Sequence, residues 1–242
     1  MRSLRIVLYA KESITLPLAY NELLQGVIYS CWRDSYPTMH DEGFKAGGKT
    51  FRLFTFGPLE GTCRVDGKAK TIQLDGTISF EVRTLFEELL DQIARTLAND
   101  GTVRLGSHTL PLVNMQSNDR LLFPQRAIIQ AISPIVAYQT SEDGHTLYYS
   151  PDDPEWLRLI QANTMHKLEA LQLDEDPTVQ IIPLSDTLKK QVTRFKGFYV
   201  TGWKGQFALS GSPQVISALY HVGLGAKNSQ GFGMFNILDK PL

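Results

Sequence analysis

The sequence predicts an α+β protein made of two tandem ferredoxin-like halves, each a β-α-β-β-α-β series whose antiparallel sheet carries its helices on one face. Three observations predict it. The chain has 242 residues, room for two domains of the usual ~100 to 150. Short apolar runs alternate with two amphipathic stripes in the first half, and the same element order recurs after the polar residues 116–119. With 43% hydrophobic and 20% charged residues, each half can bury a core, and disorder is excluded. The expected domains are residues 1–120 and 121–242.

Residues 4–9 read as a strand. Tyr20, Leu23, Leu24, Val27, Ile28 and Cys31 then recur at i, i+3, i+4, i+7, i+8 and i+11, the spacing of an amphipathic helix. After a polar loop containing Pro37, the aromatic-rich run 51–56 ends at Gly57 and Pro58, and strand-like pieces follow at 71–74 and 77–82. Leu85, Phe86, Leu89, Leu90, Ile93, Ala94 and Leu97 form a second helical stripe, which Asn99, Asp100 and Gly101 stop. A strand at 109–115 completes the half.

In the second half, residues 127–138 are strand-like. Residues 151–171 predict a helix whose acidic first turn (Asp152, Asp153, Glu155) complements the positive end of the helix dipole. Strand-like runs follow at 179–183, 192–203 and 206–210. Ser212 with Pro213 reads as an N-cap and first helical residue, and Gly223 as a C-cap, so a short helix lies between them. A strand at 232–238 closes the chain. The halves share element order and no residue-level identity.

The opening residues 1–10 are only briefly apolar and run into Lys11 and Glu12, unlike a signal peptide. No apolar run approaches membrane-spanning length, so a soluble, cytoplasmic protein with no membrane partner is expected. Cys31 and Cys63 are too few for a disulfide framework and lack metal-ligand spacing, so both are read as buried, reduced thiols, with no metal or other cofactor expected. The net charge of −1 excludes a protein that coats nucleic acid indiscriminately. That average hides an asymmetry: residues 141–186 are strongly acidic, whereas residues 187–242 carry Lys189, Lys190, Arg194, Lys196, Lys204, Lys227 and Lys240 against the single acid Asp239. The basic quarter either receives a polyanion or simply solvates one face.

Residues 43–50, from Gly43 to Thr50, satisfy the phosphate-loop expression GxxxxGK(S/T). A phosphate loop must follow a buried strand and open a helix, so that backbone amides point at the anion. Here a polar segment precedes it and the strand-like run 51–56 follows. A P-loop nucleotide hydrolase is therefore a distant alternative.

Residues 223–233, GLGAKNSQGFG, place four glycines and Lys227 between the last helix and the last strand. The spacing fails the dinucleotide fingerprint GxGxxG. Glycines at positive φ can turn successive N–H groups into an anion nest and admit a phosphodiester to the backbone. Lys227 would add charge, and Asn228, Ser229 and Gln230 could reach phosphates, base edges or a 2′-OH. Tight turns and close helix-to-sheet packing need glycines too, but with the basic flank the expectation is RNA or phosphate contact by Gly223, Gly225, Lys227, Asn228, Ser229, Gln230, Gly231, Phe232 and Gly233.

Residues 221–235, HVGLGAKNSQGFGMF, closely resemble the C-terminal motif of the CRISPR repeat-processing endoribonucleases, members of the RAMP superfamily. Further matches run along the chain in the right order: Tyr20 and Asn21 with residues 24–29 (LQGVIY), residues 40–44 (HDEGF), 52–56 (RLFTF) and 132–135 (ISPI). The resemblance implies a tandem ferredoxin-like protein that binds CRISPR repeat RNA in the pre-crRNA. It would cut that RNA without metal, leaving a 5′-OH and a 2′,3′-cyclic or 3′ phosphate, to supply crRNA for antiviral defence. The N-terminal half would carry the catalytic residues.

Such cleavage uses the RNA's own 2′-OH as nucleophile, so it needs a base, an acid and a cation for the charged phosphorane. His40 suits acid or base work, with an unperturbed pKa near ~6.5; beside Asp41 and Glu42 it could equally be a plain loop residue. Tyr29 falls nearly opposite Tyr20 on its helix, two and a half turns on, and so is not needed for that helix's core. The resemblance makes it the partner of His40, with Tyr36 the fallback and a surface tyrosine without a role the bland reading. Where the family often has a lysine, this chain has Arg52, which can stabilise phosphorane charge but not trade protons. Lys49 and Lys45 are the alternatives, and solvated charge is the plain reading of all three. His108, His145, His166 and His221 match no catalytic motif. The competing reading is a non-catalytic RNA-binding subunit of a CRISPR interference complex. Other CRISPR-associated proteins are possible partners, and the protein is expected as a monomer or homodimer.

Overall fold

The computed structural model describes residues 2–33, 35–36, 43–117, 122–184 and 187–238. In the first half the elements run β1 (Ser3–Pro17), α1 (Asn21–Trp32), β2 (Phe44–Ala46), β3 (Lys49–Phe51), β4 (Phe54–Phe56), β5 (Glu60–Asp66), β6 (Thr71–Thr84), α2 (Glu87–Asp100), β7 (Thr102–Leu105) and β8 (His108–Ser117). The main sheet has the order β4-β6-β1-β8-β7, with β5 also on β6, and every pairing is antiparallel. Stripped to β1-α1-β4/β5-β6-α2-β8, the spatial order is second, third, first, fourth, which is ferredoxin-like. The two predicted stripes are what bind the helices to the sheet: Leu24, Val27, Ile28 and Cys31 from α1 and Leu89, Leu90, Ile93 and Leu97 from α2 are buried in one core with β1 and β6.

The two pieces expected at 71–74 and 77–82 are one strand. Asp75 and Gly76 suggest a turn, but the structure absorbs them in a bulge: Gly76 takes φ +67° where the register with β1 shifts between Ala10 and Ile14. Residues 43–50 form no phosphate loop. Strands β2 and β3 close a tight hairpin over Gly47 and Gly48, whose φ angles are +54° and +70°, so no helix N-terminus is there to gather an anion.

The second half runs β9 (Arg126–Ala131), β10 (Tyr138–Thr140), β11 (Thr146–Tyr148), α3 (Pro154–Ala170), β12 (Gln180–Pro183), β13 (Lys189–Phe195), β14 (Phe198–Lys204), β15 (Gln206–Ser210), α4 (Pro213–Val222) and β16 (Phe235–Leu238). Its sheet, β12-β15-β9-β16, repeats the order second, third, first, fourth. The caps of α4, Ser212 and Gly223, are those the sequence predicts, whereas α3 starts at Pro154 rather than 151, so that of the expected acidic first turn only Glu155 lies inside it and Asp153 becomes its N-cap. Asp153 accepts from the Glu155 N–H at the start of α3, and Ser212 accepts from the Val215 N–H at the start of α4.

Two expected strands break. The run 127–138 stops at Ala131, just before Ser133 and Pro134, where proline has no N–H to give a ladder. The run 192–203 is a hairpin: Lys196 and Gly197 both take positive φ, +45° and +86°, the two-residue turn that suits a hairpin's twist. This β13–β14 hairpin stands off the main sheet and is anchored through Phe195 and Val200, which bury against Val136 and Phe232.

The halves are stapled by Arg83 of β6, itself 2% exposed. Its guanidinium donates to the Phe235 carbonyl at 2.7 Å and to Asn236 Oδ1 at 2.7 Å, sits 3.9 Å above the Tyr220 ring, and pairs with Glu81 at 2.6 Å. Among the described residues no helix is long and apolar enough to cross a membrane. Cys31 is buried, and that burial pushes its thiol up to about 11. Cys63 departs from expectation: it lies on β5, whose residues are all exposed.

Candidate active site

The glycine-rich segment leaves α4 at Gly223, makes one 3-10 turn at Asn228–Gln230, and enters β16. Its shape is fixed from within. Asn228 is buried, and its amide donates to the Leu224 and Phe232 carbonyls at 3.2 and 3.0 Å. A side chain on Gly233 would come within 2.0 Å of the Leu224 oxygen, and one on Gly231 within 2.7 Å of the Phe56 ring. The N–H groups of Gly223, Leu224, Ala226, Gln230, Gly231 and Gly233 all donate to carbonyls of the protein. The expected amide nest is therefore corrected for these residues: the glycines serve packing, Asn228 fastens the loop, and the fully buried Phe232 anchors it.

Lysine 167 of α3 supports the loop from below. It is buried, and its Nζ donates to the carbonyls of Gly223 and Gly225 at 2.6 and 2.7 Å. Burial drives its pKa well below the ordinary lysine value. From the other side α1 grips the same loop. Asn21 donates to the Gln230 carbonyl at 3.0 Å and Gln25 to the Ser229 carbonyl at 2.6 Å. The loop is thus wedged between the two halves.

That wedge brings predicted residues together. The Tyr29 hydroxyl, on α1, meets both the Arg52 guanidinium and the Ser229 side chain. Burial raises the Tyr29 pKa above its ordinary 10.0 against the opposing pull of Arg52 and these hydrogen bonds. Its ring is not the idle surface group that helix geometry suggested, for it packs edge-on against Trp32 and Phe54 at 5.9 and 5.8 Å. Arg52 sits where β3 gives way to β4, next to Leu53, which is held at φ +47° with its carbonyl bonded by the Thr84 hydroxyl at 2.8 Å. A β carbon on Gly43 would fall 2.4 Å from Arg52 Nη1, so the guanidinium passes against the backbone of Gly43. Residues 37–42, His40 among them, lie outside the described residues.

Arg52 and Ser229 line a cleft of about 770 Å³ between the halves, together with Lys49, Tyr138, His166 and Lys227. Lys227, in the left-handed region at φ +62°, lays its Nζ 4.5 Å over the Tyr138 ring, and burial lowers its pKa. Lys45 is exposed on β2 and does not line the cleft, and Tyr36 packs partly buried against the first core. Sequence reasoning missed Lys167. The available signal was a lysine at the i+7 position of the stripe Ile160, Thr164, Lys167 on α3, where an apolar residue is the rule.

Comparison with known proteins agrees with this architecture. The family model described as CRISPR associated protein Cas6, C-terminal, matches residues 117–237, half of the chain. The chain is 24% identical over 230 residues to the CRISPR-associated endoribonuclease Cas6 of Pyrococcus furiosus, covering 93% of this chain and 85% of that one. It is 27% identical over 197 residues to the CRISPR-associated endoribonuclease Cas6 1 of Methanocaldococcus jannaschii, covering 78% and 76%. A solved structure of a Cas6-related protein from Pyrococcus furiosus superposes with a TM-score of 0.85 at 19% identity over 99% of both chains. With the C-terminal family model spanning the glycine-rich loop and the fold shared end to end, this chain belongs to the Cas6 family of CRISPR-associated proteins.

Proposed function

We propose that this Cas6-family chain is an endoribonuclease that binds CRISPR repeat RNA and cuts it in the cleft between its halves. The observation that carries the reading is the meeting of Tyr29, from α1, with Arg52 of the β3–β4 junction and Ser229 of the glycine-rich loop, the last two of which line the cleft. In the reaction the 2′-oxygen attacks the adjacent phosphorus and loses its proton to a base. The 5′-oxygen departs with a proton from an acid, leaving a 2′,3′-cyclic phosphate and a 5′-OH. Arg52 supplies fixed positive charge for the phosphorane, and with a pKa above ~12 it takes no part in proton transfer. Tyr29, its pKa raised by burial, stays protonated at neutral pH and acts as a hydrogen-bond donor to the phosphate.

Proton transfer then falls to His40. Only Asp41 and Glu42 separate it from Gly43, against which Arg52 lies, and three Cα-to-Cα steps of chain span at most about 11 Å. No step of this scheme requires a metal. The direct test is single-turnover cleavage of the host's repeat RNA in EDTA. Wild-type protein is expected to cut and leave a 5′-OH, and His40→Ala to cut ~10² to 10⁴-fold more slowly with unchanged RNA affinity. A 2′-deoxy substitution at the cut site should block cleavage but not binding. Binding without cleavage by the wild type would instead favour a non-catalytic RNA-binding subunit.

A further inference from the structure

We propose that α3 sets the register of the two walls of the cleft, with His166 seating the turn of the β2–β3 hairpin and Lys167 holding the glycine-rich loop. Both are positioning residues, and the inference rests on the endoribonuclease reading above. Consecutive residues on a helix point ~100° apart, so neighbours on α3 can serve two different partners. Lys167 reaches the loop carbonyls of Gly223 and Gly225. His166 lies against the hairpin so closely that a β carbon on Gly47 would stand 2.2 Å from its Nε2 and 2.3 Å from its Cδ2.

What the hairpin carries makes this contact matter. It begins just after residues 37–42, where His40 resides, and its second strand leads directly into Arg52. The turn is thus a point at which the segment leading into Arg52 touches the second half, while Ser229 and Lys227 come from the loop held by the neighbouring Lys167. Ala46 beside the turn is buried, so the seat is packed rather than solvent-separated. Among the described residues the His166 Nδ1 is buried without a hydrogen-bond partner, as is Asn163 Oδ1 one turn earlier. Its contribution at this place is shape.

Glycines 47 and 48 supply a matched pair of variants. Both have left-handed φ, +54° and +70°, yet a β carbon on Gly48 meets nothing within 4 Å. Gly48→Ala therefore measures the backbone cost of alanine in such a turn, and Gly47→Ala measures that cost plus collision with His166. Misplacement of reacting groups by about 1 Å can cost ~10²-fold. Gly47→Ala is accordingly expected to slow single-turnover cleavage at saturating enzyme by about 10²-fold relative to Gly48→Ala. Repeat affinity should stay within about threefold, since phosphate contacts elsewhere dominate binding. The double variant Gly47→Ala with His166→Ala removes the collision and should recover most of the rate. Amide hydrogen exchange over residues 44–51 follows the same register without depending on activity: faster in Gly47→Ala, restored in the double variant. Equal rates for Gly47→Ala and Gly48→Ala, or no recovery in the double variant, would overturn the proposal. If the wild type cuts nothing, the endoribonuclease reading fails by itself, and the exchange pattern still decides whether His166 seats the hairpin.

Discussion

Tyr29 belongs at once to the core and to the proposed site. Its ring packs edge-on against Trp32 and Phe54, and its hydroxyl faces Arg52 and Ser229. Tyr29→Phe keeps the packing and removes only the donor. It should leave stability nearly unchanged and slow cleavage by roughly 10 to 10²-fold, the worth of one hydrogen bond to a charged group. Arg52→Ala removes the fixed cation and should cost ~10² to 10³-fold at saturating RNA. Arg52→Lys, which keeps the charge but not the fork, should fall between. A fully active Arg52→Ala would move the role to Lys49, which lines the same cleft. At this scale the sequence is informative where a motif names a position: Tyr29, Arg52 and Ser229 stand out, and the structure brings them together. His166 and Lys167 do not stand out, because their partners are a glycine turn and two carbonyls more than 50 residues away, and nothing local announces such a contact.

Elements were legible to the extent that one rule decided them. The stripes of α1 and α2 and the caps of α4 follow from periodicity and capping chemistry, and they formed as expected. Misjudgements came where a turn signal and a strand signal overlapped. Asp75 with Gly76 became a bulge in a continuous strand, and Lys196 with Gly197 became the turn of a hairpin inside an apparent strand. The β13–β14 hairpin matters for binding. It exposes Lys189, Lys190 and Arg194 together with Phe198 and Tyr199, which are 76% and 62% exposed. Aromatic rings on a basic hairpin offer stacking beside phosphate contacts. Replacing Lys189, Lys190 and Arg194 together by alanine should weaken repeat binding and reduce the slope of log K against log salt by about 2 to 3. Cleavage at saturating enzyme should hold. Lys227, half-buried over Tyr138, should contribute less to that slope than the hairpin. An unchanged slope in the triple variant would assign these charges to solvation alone.

For the molecule as a whole, the cleft exists only while the halves keep their relation, and Arg83 joins them where β6 meets β16 and α4. The first half alone supplies its counter-charge, Glu81. Burial by itself would raise the Glu81 carboxyl, but Arg83 beside it, with Ser3 and Arg5, outweighs that and holds it below its ordinary 4.5. Arg83→Met strips four partners at once and leaves the part-buried Glu81 with only Ser3 and Arg5 to hold its charge, a change of the kind that costs ~3 to 5 kcal/mol. Its unfolding midpoint should drop sharply at neutral pH. Glu81→Gln isolates the proton-linked part. Because the folded pKa lies below the unfolded one, the carboxylate's stabilisation is fully present above about 4.5 and is lost as pH falls through the folded value. Wild type should therefore be more stable than Glu81→Gln at pH 7, and the gap should close as the pH is lowered beneath 4.5. Denaturant melts of both proteins across that range decide it. A gap that persists unchanged in acid would mean that the pair acts through packing rather than charge. In that case the Arg83 stack on Tyr220 and its bonds to Phe235 and Asn236, not the ion pair, would hold the two halves around the cleft.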